Sequence, residues 1–286
     1  MEGWWKLSIK LVAIDLDETL LRQDKTYDRD RFQVVLEKLE DAGILMFIVT
    51  GNSYSKVGDY FNTRNKQKVY FGSDNGNYLI KSGVVEREIG FSQEETRQVL
   101  EYLDSLPAGI YPILSNGSEM FFRAGEDEVF ETIKQYNPGL QYIDSFSSLP
   151  AHTKAMKLAN LMTVDLSESK RIADAIYEKF PFANAVTSGG GWMDVYHRDG
   201  GKGKAVQFLQ EKYGILQSET MCFGDSLNDY SMMQVSDYSI AMGNADPQLT
   251  KICNYQIGHN NDQSVLEVLE EMIRNKTLDF LERYRR

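Results

Sequence analysis

The sequence has little cysteine, little histidine and no long hydrophobic segment. Its 286 residues include only two cysteines, Cys222 and Cys253, whose unrelated contexts argue against a disulfide framework and a cysteine-based metal site. The three histidines are scattered along the chain, and we assign none of them a catalytic role. The longest apolar stretch, residues 42–49, is much shorter than the ~18 to 20 residues of a membrane span. We therefore expect a soluble protein without structural disulfides.

Positive charge is also scarce. Lys and Arg total 31 against 42 Asp and Glu, which gives a formal net charge of -11. Such an acidic surface argues against nucleic acid or an anionic membrane as a partner. The first residues lack the long apolar core and the small-residue cleavage site of a secretion signal, so we expect a cytoplasmic location. The sequence leaves a homodimer open.

What is present is an alternation of strand-like apolar runs with amphipathic helix-like stretches. The first strands are predicted over residues 9–14 and 44–49, and the first helices over residues 30–39 and 53–61. This alternation is typical of a parallel sheet covered by helices on both faces. The predicted fold class is therefore α/β, with a doubly wound parallel sheet.

A different pattern interrupts this alternation after the turn-forming pair Asn75-Gly76. Short strands, hairpins and helices follow, up to a glycine-rich stretch at residues 188–191 that is typical of a hinge. We therefore predict a catalytic domain formed by residues 1–84 and 190–286, with a strand over residues 193–196, and an α+β domain over residues 85–189 inserted into it.

Two aspartates, Asp15 and Asp17, stand where the first apolar run ends, in the sequence IDLDETLL. Side chains two apart on a strand point the same way, and ligands of open α/β sheets bind at the carboxyl ends of strands. Two such close carboxylates repel unless one is protonated or a cation lies between them, and Mg²⁺ prefers oxygen ligands. Taken alone, the pair is also explained as a strand end with Asp17 as a helix cap.

A second acidic cluster, Asp225, Asn228 and Asp229 in FGDSLNDYSMM, follows the predicted strand over residues 221–223. It should lie at the same edge of the sheet as Asp15. Asp225 is then a natural further metal ligand, while Asn228 and Asp229 orient ligands or waters. Simple turn and helix-cap chemistry is the alternative explanation.

Two further segments are suited to bind phosphate. Thr50 ends the second predicted strand and precedes Gly51, so its hydroxyl can reach a phosphate oxygen with little steric obstruction. Lys202 follows two glycines and opens a helix, which directs an ammonium and free backbone N–H groups toward an anion. Lys204 is the competing candidate, but its place inside the amphipathic helix favours a solvated side chain.

These segments, in this order, resemble the haloacid dehalogenase-like phosphatases. More narrowly, the chain resembles the Cof-type subfamily with a large class II cap in its motifs DLDETLL, VTGN, GKGKA, GDSLND and AMGNA. The resemblance implies a Rossmann-like core, a cap inserted between the second and third motifs, and Mg²⁺ as cofactor. It further implies that Asp15 is the nucleophile and Asp17 the general acid and base. Thr50, Gly51 and Lys202 would hold the transferring phosphoryl group.

The resemblance also implies a metal seat formed by Asp15, Asp17 and Asp225, supported by Asn228 and Asp229. We predict an aspartyl-phosphate mechanism acting on small phosphorylated metabolites, sugar phosphates first and phosphorylated cofactors second. A phosphomutase and a non-catalytic phosphosugar-binding regulator are the alternatives.

Two positions depart from the pattern of the subfamily. Glu18 stands where glycine is common, and Asn52 replaces an arginine that often follows the Thr-Gly pair. The loss of that arginine removes a cation at the edge of the site. In the predicted cap, Tyr111, Phe121 and Phe122 are interpreted as core residues rather than as a platform for a sugar.

Overall fold

The computed structural model describes residues 8–58, 60–137, 139–150, 152–187 and 191–286. The strands of this part of the chain are β1 (Leu11–Ile14), β2 (Leu45–Val49), β3 (Tyr70–Ser73), β4 (Tyr78–Lys81), β5 (Val84–Glu88), β6 (Ile110–Ser115), β7 (Met120–Arg123), β8 (Leu140–Ile143), β9 (Lys157–Met162), β10 (Ala183–Thr187), β11 (Trp192–His197), β12 (Thr220–Gly224), β13 (Tyr238–Ala241) and β14 (Tyr255–Gln256). The α-helices are α1 (Arg29–Asp41), α2 (Tyr54–Val57), α3 (Thr63–Lys68), α4 (Gln93–Asp104), α5 (Asp127–Tyr136), α6 (Leu166–Lys179), α7 (Lys202–Tyr213), α8 (Tyr230–Met233), α9 (Pro247–Ile252) and α10 (Ser264–Asn275). None of the helices described is both long and apolar enough to cross a membrane.

The first sheet has eight strands in the order β14-β13-β12-β1-β2-β3-β4-β5. Its strands from β14 to β3 are parallel, and β4 and β5 extend it as an antiparallel hairpin. In β1, Val12 and Ile14 join the core layer of α1 and α10, whereas Leu11 and Ala13 join the layer of α7. Every residue of β1 is buried because both faces of the sheet are covered. The predicted doubly wound α/β fold is confirmed.

The helices of this part follow their local sequence signals, with one correction. The predicted helix over residues 53–61 is too long, since α2 covers only residues 54–57 of it and α3 begins after it, at Thr63. Asn62 caps the start of α3, where its side chain accepts a hydrogen bond from the backbone N–H of Asn65. Helix α7 ends at Gly214, which adopts φ +62° in the left-handed region.

The second sheet has six strands in the order β10-β11-β9-β6-β7-β8 and is antiparallel except for the pair β7 and β8. The predicted assignment of residues 193–196 to the catalytic sheet is wrong. These residues lie in β11, whose Met193 and Val195 pack in the core of the second sheet. Conversely, β5 belongs to the first sheet although most of it follows residue 84.

The two sheets therefore do not follow the predicted boundaries at residues 84/85 and 189/190, and the division into two domains stays a prediction. Of the predicted hinge, residues 188–190 lie outside the described residues. Phe121 and Phe122 are buried in the second sheet, in agreement with their interpretation as core residues, and Tyr111 packs at the edge of the same core.

Candidate active site

The candidate site lies where three neighbouring parallel strands end. Asp15 directly follows β1, Thr50 follows β2 and Asp225 follows β12, the strands being ordered β12-β1-β2. The backbone N–H of Asp15 donates to the carbonyl of Phe223 at 3.0 Å, which fixes the first aspartate to the neighbouring strand. The topology thus brings three polar segments, far apart in sequence, to one edge of the sheet.

Lys202, at the start of α7, is the central cation of this edge. Its Nζ lies 2.5 Å from Asp15 Oδ1 and 2.6 Å from Asp229 Oδ1, and its side chain is fully buried. Burial favours the neutral amine, but the two carboxylates outweigh it and raise the pKa of Lys202. The rival Lys204 is exposed. Lys202 therefore places a permanent positive charge against the Asp15 carboxylate.

Asp229 shapes the loop after β12 as well as pairing with Lys202. Its Oδ2 accepts from the backbone N–H groups of Asp225 at 2.9 Å and Ser226 at 3.0 Å. A side chain at Gly224 would place its Cβ 2.6 Å from Asp229 Cγ, so glycine is required for this close approach. The fully buried Asp229 thus orients the loop that carries Asp225.

Three carboxylates form an acidic cluster suited to a cation. Asp15, Asp225 and Asp229 each offer an oxygen, and these oxygens lie within 4.8 Å of one another. Burial raises the pKa of Asp15 against the opposing effect of Lys202, with Asp229 and Asp225 adding to the shift. Burial and then the charge of Asp229 raise the pKa of Asp225 to about 7, while the Thr19 hydroxyl donates to this carboxylate at 2.9 Å. A hard divalent cation such as Mg²⁺ fits this excess of buried negative charge.

The side chain of Asp17 lies outside this cluster, and its predicted place in the metal seat stays a prediction. Its carboxylate accepts from Lys25 Nζ at 2.9 Å and from the side-chain amide of Asn52. Asp229, predicted as a supporting residue, is the third carboxylate of the acidic cluster. Asn52, which replaces the arginine common in the subfamily, thus contacts the candidate acid and base through its side-chain amide. The sequence analysis did not predict this contact.

The other departure, Glu18, has a backbone explanation. It lies in an irregular turn with φ +55°, a conformation that glycine adopts more easily than other residues. Its carbonyl accepts from Asn244 Nδ2 at 2.8 Å and its carboxylate from Asn260 Nδ2 at 3.2 Å. These contacts hold a non-glycine residue in the turn that follows the aspartate pair.

Thr50 and Gly51 form a tightly surrounded loop. Thr50 is buried, and its Oγ1 accepts from the backbone N–H of Asn52 at 3.1 Å. A Cβ on Gly51 would lie 3.3 Å from Asn75 Oδ1 and 3.5 Å from Asp194 Oδ2. Asn228, predicted as a supporting residue, contacts the same Asn75 side chain at 3.2 Å. A side chain at position 51 would therefore have to shift Asn75 Oδ1 by a few tenths of an ångström.

Several polar residues near the site were missed by the sequence analysis. The second sheet contributes Lys157 and Asp194, and the loop after β3 contributes Asp74 and Asn75. Asn75 was interpreted only as a turn residue. The available signal was the presence of charged residues inside otherwise apolar strands, as Asp194 is in WMDVYH, because buried charges need partners.

The match to known proteins covers most of the chain. Residues 12–269 match the family model of the haloacid dehalogenase-like hydrolases. The chain belongs to this family. Its relatives include the 5-amino-6-(5-phospho-D-ribitylamino)uracil phosphatase YbjI of Escherichia coli (strain K12), 26% identical over 273 residues, which are 94% of this chain and 98% of that protein. A second is the 5-amino-6-(5-phospho-D-ribitylamino)uracil phosphatase YwtE of Bacillus subtilis (strain 168), 23% identical over 291 residues, with 93% and 98% covered.

Solved structures agree with this assignment. The crystal structure of SMU.1108c from Streptococcus mutans UA159 matches with a TM-score of 0.86 and 27% identity, covering 93% of this chain and 99% of that one. The predicted family is confirmed, and so is the predicted enzyme class. The protein is a haloacid dehalogenase-like phosphatase, a hydrolase of phosphate monoesters.

One buried carboxylate beside the site leads to a prediction of pH dependence. Asp74 is fully buried; its Oδ2 accepts from Ser115 Oγ at 3.0 Å and its Oδ1 has no hydrogen-bond partner in the described structure. Burial, opposed by Lys157, raises its pKa from 3.8 to about 7, and Asp194 adds to the rise. Because the folded state holds this proton more tightly, the stabilisation is complete below the ordinary pKa and is lost as the pH rises through about 7.

Asp74→Asn removes this titration. We expect the free energy of unfolding of the variant, relative to wild type, to rise between pH 4 and pH 7 by up to about 1.4 kcal/mol per unit, and to level off above. Urea unfolding across this pH range, in EDTA, measures the difference, with the exposed Asp237→Asn as control. A difference that does not change with pH contradicts the shifted pKa of Asp74.

Proposed function

We propose that the protein is a Mg²⁺-dependent phosphatase of the cytoplasm that hydrolyses small sugar and sugar-alcohol phosphates through an aspartyl-phosphate on Asp15. The observation that carries the proposal is the contact of the buried Lys202 ammonium with both Asp15 and Asp229 inside the acidic cluster. A cation facing a carboxylate at a strand end supplies the charge neutralisation that phosphoryl transfer needs.

In the proposed mechanism, Lys202 holds Asp15 Oδ1 and leaves Oδ2 to attack phosphorus. The bond from phosphorus to the substrate oxygen breaks, and Asp17 donates a proton to the departing alkoxide. Asp17 then takes a proton from water, which attacks phosphorus and releases phosphate and the free Asp15 carboxylate. Thr50 and Lys202 hold the phosphoryl oxygens. Asp15, Asp225 and Asp229 would hold Mg²⁺, which would neutralise charge on the phosphoryl group.

Cationic side chains near Asp17 support an anionic substrate. Lys25 contacts the Asp17 carboxylate at 2.9 Å. Burial lowers the pKa of Lys56, with Asp17 opposing the shift and the charges of Lys25 and Lys157 adding to it. The Lys25 ammonium supplies positive charge at the edge where the arginine typical of the subfamily is missing.

The substrate class rests on the relatives. Both YbjI and YwtE are named for a phosphorylated ribityl chain, which is a sugar-alcohol phosphate. The sequence analysis put sugar phosphates first, and a phosphorylated polyhydroxylated chain is related to them in chemistry. Phosphorylated cofactors come second.

Phosphate release from a panel of phosphorylated metabolites tests the proposal. We expect release in the presence of Mg²⁺, background rates after EDTA treatment, and the highest kcat/KM with sugar and sugar-alcohol phosphates. The absence of release from every ester contradicts the proposed substrates. Return of the phosphoryl group to another position of the substrate, seen by product analysis, supports the phosphomutase instead.

The composition of the metal seat is tested separately. Asp225→Asn should raise the Mg²⁺ concentration for half-maximal activity by at least about 100-fold, because it removes one charged oxygen ligand. Asp17→Asn should lower kcat without changing this concentration, since the Asp17 carboxylate lies outside the acidic cluster. Titration of both variants with Mg²⁺ decides between the two sets of ligands. An equal rise of this Mg²⁺ concentration in both variants contradicts a metal seat that leaves out Asp17.

A further inference from the structure

Two charged side chains of the second sheet reach the loops of the first. Lys157, at the start of β9, and Asp194, in β11, form an ion pair at 3.3 Å with side chains 7% and 6% exposed. They lie on the same face, because Asp194 pairs in register with Ala159, two residues after Lys157. The pair does not stay within its own sheet. Lys157 Nζ donates to the carbonyl of Gly51 at 2.5 Å, and Asp194 Oδ2 accepts from Asn75 Nδ2 at 2.8 Å.

We propose that Lys157 and Asp194 are positioning residues for phosphoryl transfer. They fix the second sheet against two loops of the first sheet, the loop of Thr50 and Gly51 and the loop after β12 that carries Asp225. This inference rests on the proposed function of the site. Within the described part of the chain, neither residue forms a hydrogen bond or an ion pair with the acidic cluster, which includes the nucleophile.

The first connection runs through one peptide plane. The carbonyl of Gly51 and the N–H of Asn52 belong to the same planar group and point in opposite directions. Lys157 holds the carbonyl, while the N–H donates to Thr50 Oγ1 at 3.1 Å. With its oxygen occupied as acceptor, the Thr50 hydroxyl directs its own proton elsewhere, toward a phosphoryl oxygen. Lys157 thereby orients the hydroxyl proton of Thr50.

The second connection runs through amide side chains. Asn75 donates to Asp194 and accepts from Asn228 Nδ2 at 3.2 Å. Asn228 in turn accepts from Ser226 Oγ at 2.7 Å. The backbone N–H of Asn75 also donates to the carbonyl of Thr50 at 2.8 Å. Asn75 thus joins the ion pair to the loop of Asp225 through its side chain and to the loop of Thr50 through its backbone.

Stability alone does not account for such a pair. A buried ion pair costs desolvation that its mutual attraction barely offsets, and apolar residues of similar volume are often as stable. Breaking it by removing one partner is costly, since a buried charge is left unpaired. A double replacement that removes both charges therefore separates positioning from stability.

The test compares wild type with Lys157→Met/Asp194→Leu under saturating Mg²⁺. We expect kcat to fall about 10- to 100-fold, with KM changing less, because the phosphoryl group still binds but its donors are misplaced. The melting temperature should stay close to that of wild type. A merely structural pair gives the opposite pattern, in which the melting temperature falls while kcat, measured well below it, stays unchanged.

A matched control and a second variant complete the test. Lys154 and Glu88 also join the second sheet region to the first sheet, at 3.1 Å, but are about half exposed, so Lys154→Met should leave kcat unchanged. Asn75→Gly keeps the left-handed backbone of φ +60° and the ion pair but removes the connection to Asn228, and kcat should fall. Should the double variant fail to fold, the Asn75→Gly result decides.

Different results contradict the proposed function and the positioning role of Lys157 and Asp194. If wild type releases no phosphate from any ester, the proposed function is wrong. If wild type is active and a folded Lys157→Met/Asp194→Leu or Asn75→Gly protein keeps kcat within about twofold, only the positioning role is wrong. Loss of kcat in the Lys154→Met control to the same extent also overturns it, because any contact between the sheets would then matter equally.

Discussion

Replacement of Asp15 by asparagine is expected to lower Mg²⁺-dependent phosphate release at least about 10⁴-fold while the protein stays folded. The amide cannot accept the phosphoryl group, and it removes one of the charges that bind the metal. Folding should survive, because Lys202 keeps its second partner, Asp229, at 2.6 Å. In the absence of metal, burial raises the pKa of Asp15 and so disfavours its negative charge. The loss of that charge in the variant should therefore not unfold the protein.

Steady-state kinetics with the best ester of the panel measures this loss, and thermal unfolding in EDTA checks the fold. The exposed Asp237→Asn serves as the control and should behave as wild type in both assays. Activity of Asp15→Asn within about tenfold of wild type contradicts a nucleophilic role, since the reaction then does not need the Asp15 carboxylate to carry the phosphoryl group.

Replacement of Lys202 by methionine should have the largest effect on stability as well as a large effect on activity. It leaves the carboxylates of Asp15 and Asp229 buried without their shared cation. Removal of one partner from a buried ion pair costs about 3 to 5 kcal/mol, and we expect a loss of this size in the free energy of unfolding in EDTA at pH 8. The loss should shrink as the pH falls, because burial raises the pKa of Asp15, whose carboxylate can then take up a proton.

The matched control for this variant is Lys204→Met, two residues along the same helix. Lys204 is exposed, so its loss should change the free energy of unfolding by less than about 0.5 kcal/mol. Phosphate release should fall at least about 10³-fold in Lys202→Met and remain unchanged in the control. Equal stability of the two variants at pH 8 contradicts the central place of Lys202 in the cluster.

The strand order explains why much of the site was predictable from sequence. Asp15, Thr50 and Asp225 each follow an apolar run, and parallel strands bring their carboxyl ends to one edge. The helix start at Lys202 was visible from the flanking glycines. These inferences need only local patterns and the general rule for open α/β sheets.

The position of Asp17 was not predictable in the same way. The expectation that Asp15 and Asp17 point alike assumes a strand, but β1 ends at Ile14. Both aspartates lie beyond it, and the irregular turn with Glu18 at φ +55° sends the second carboxylate toward Lys25 and Asn52. The direction of a side chain in such a turn depends on contacts distant in sequence.

The sheet to which β11 belongs was wrongly predicted for a related reason. The short, largely apolar sequence of β11 fits a parallel or an antiparallel neighbour equally well, and the nearby glycines suggested a boundary. Its actual partners, β9 and β10, are fixed by pairing across the second sheet. Lys157 and Asp194 were missed with it, since their contacts with Gly51 and Asn75 exist only once the two sheets meet.

The most direct test of the mechanism is to trap the phosphoryl group on Asp15. Asp17→Asn is mixed with p-nitrophenyl phosphate and Mg²⁺ and quenched in acid. The nitrophenolate leaves without a proton donor, whereas the second step lacks its base. We predict a burst of nitrophenolate and the mass of one added phosphoryl group on the tryptic peptide of residues 11–22. Phosphate release by wild type, with neither a burst nor a phosphorylated peptide in the variant, contradicts the aspartyl-phosphate mechanism.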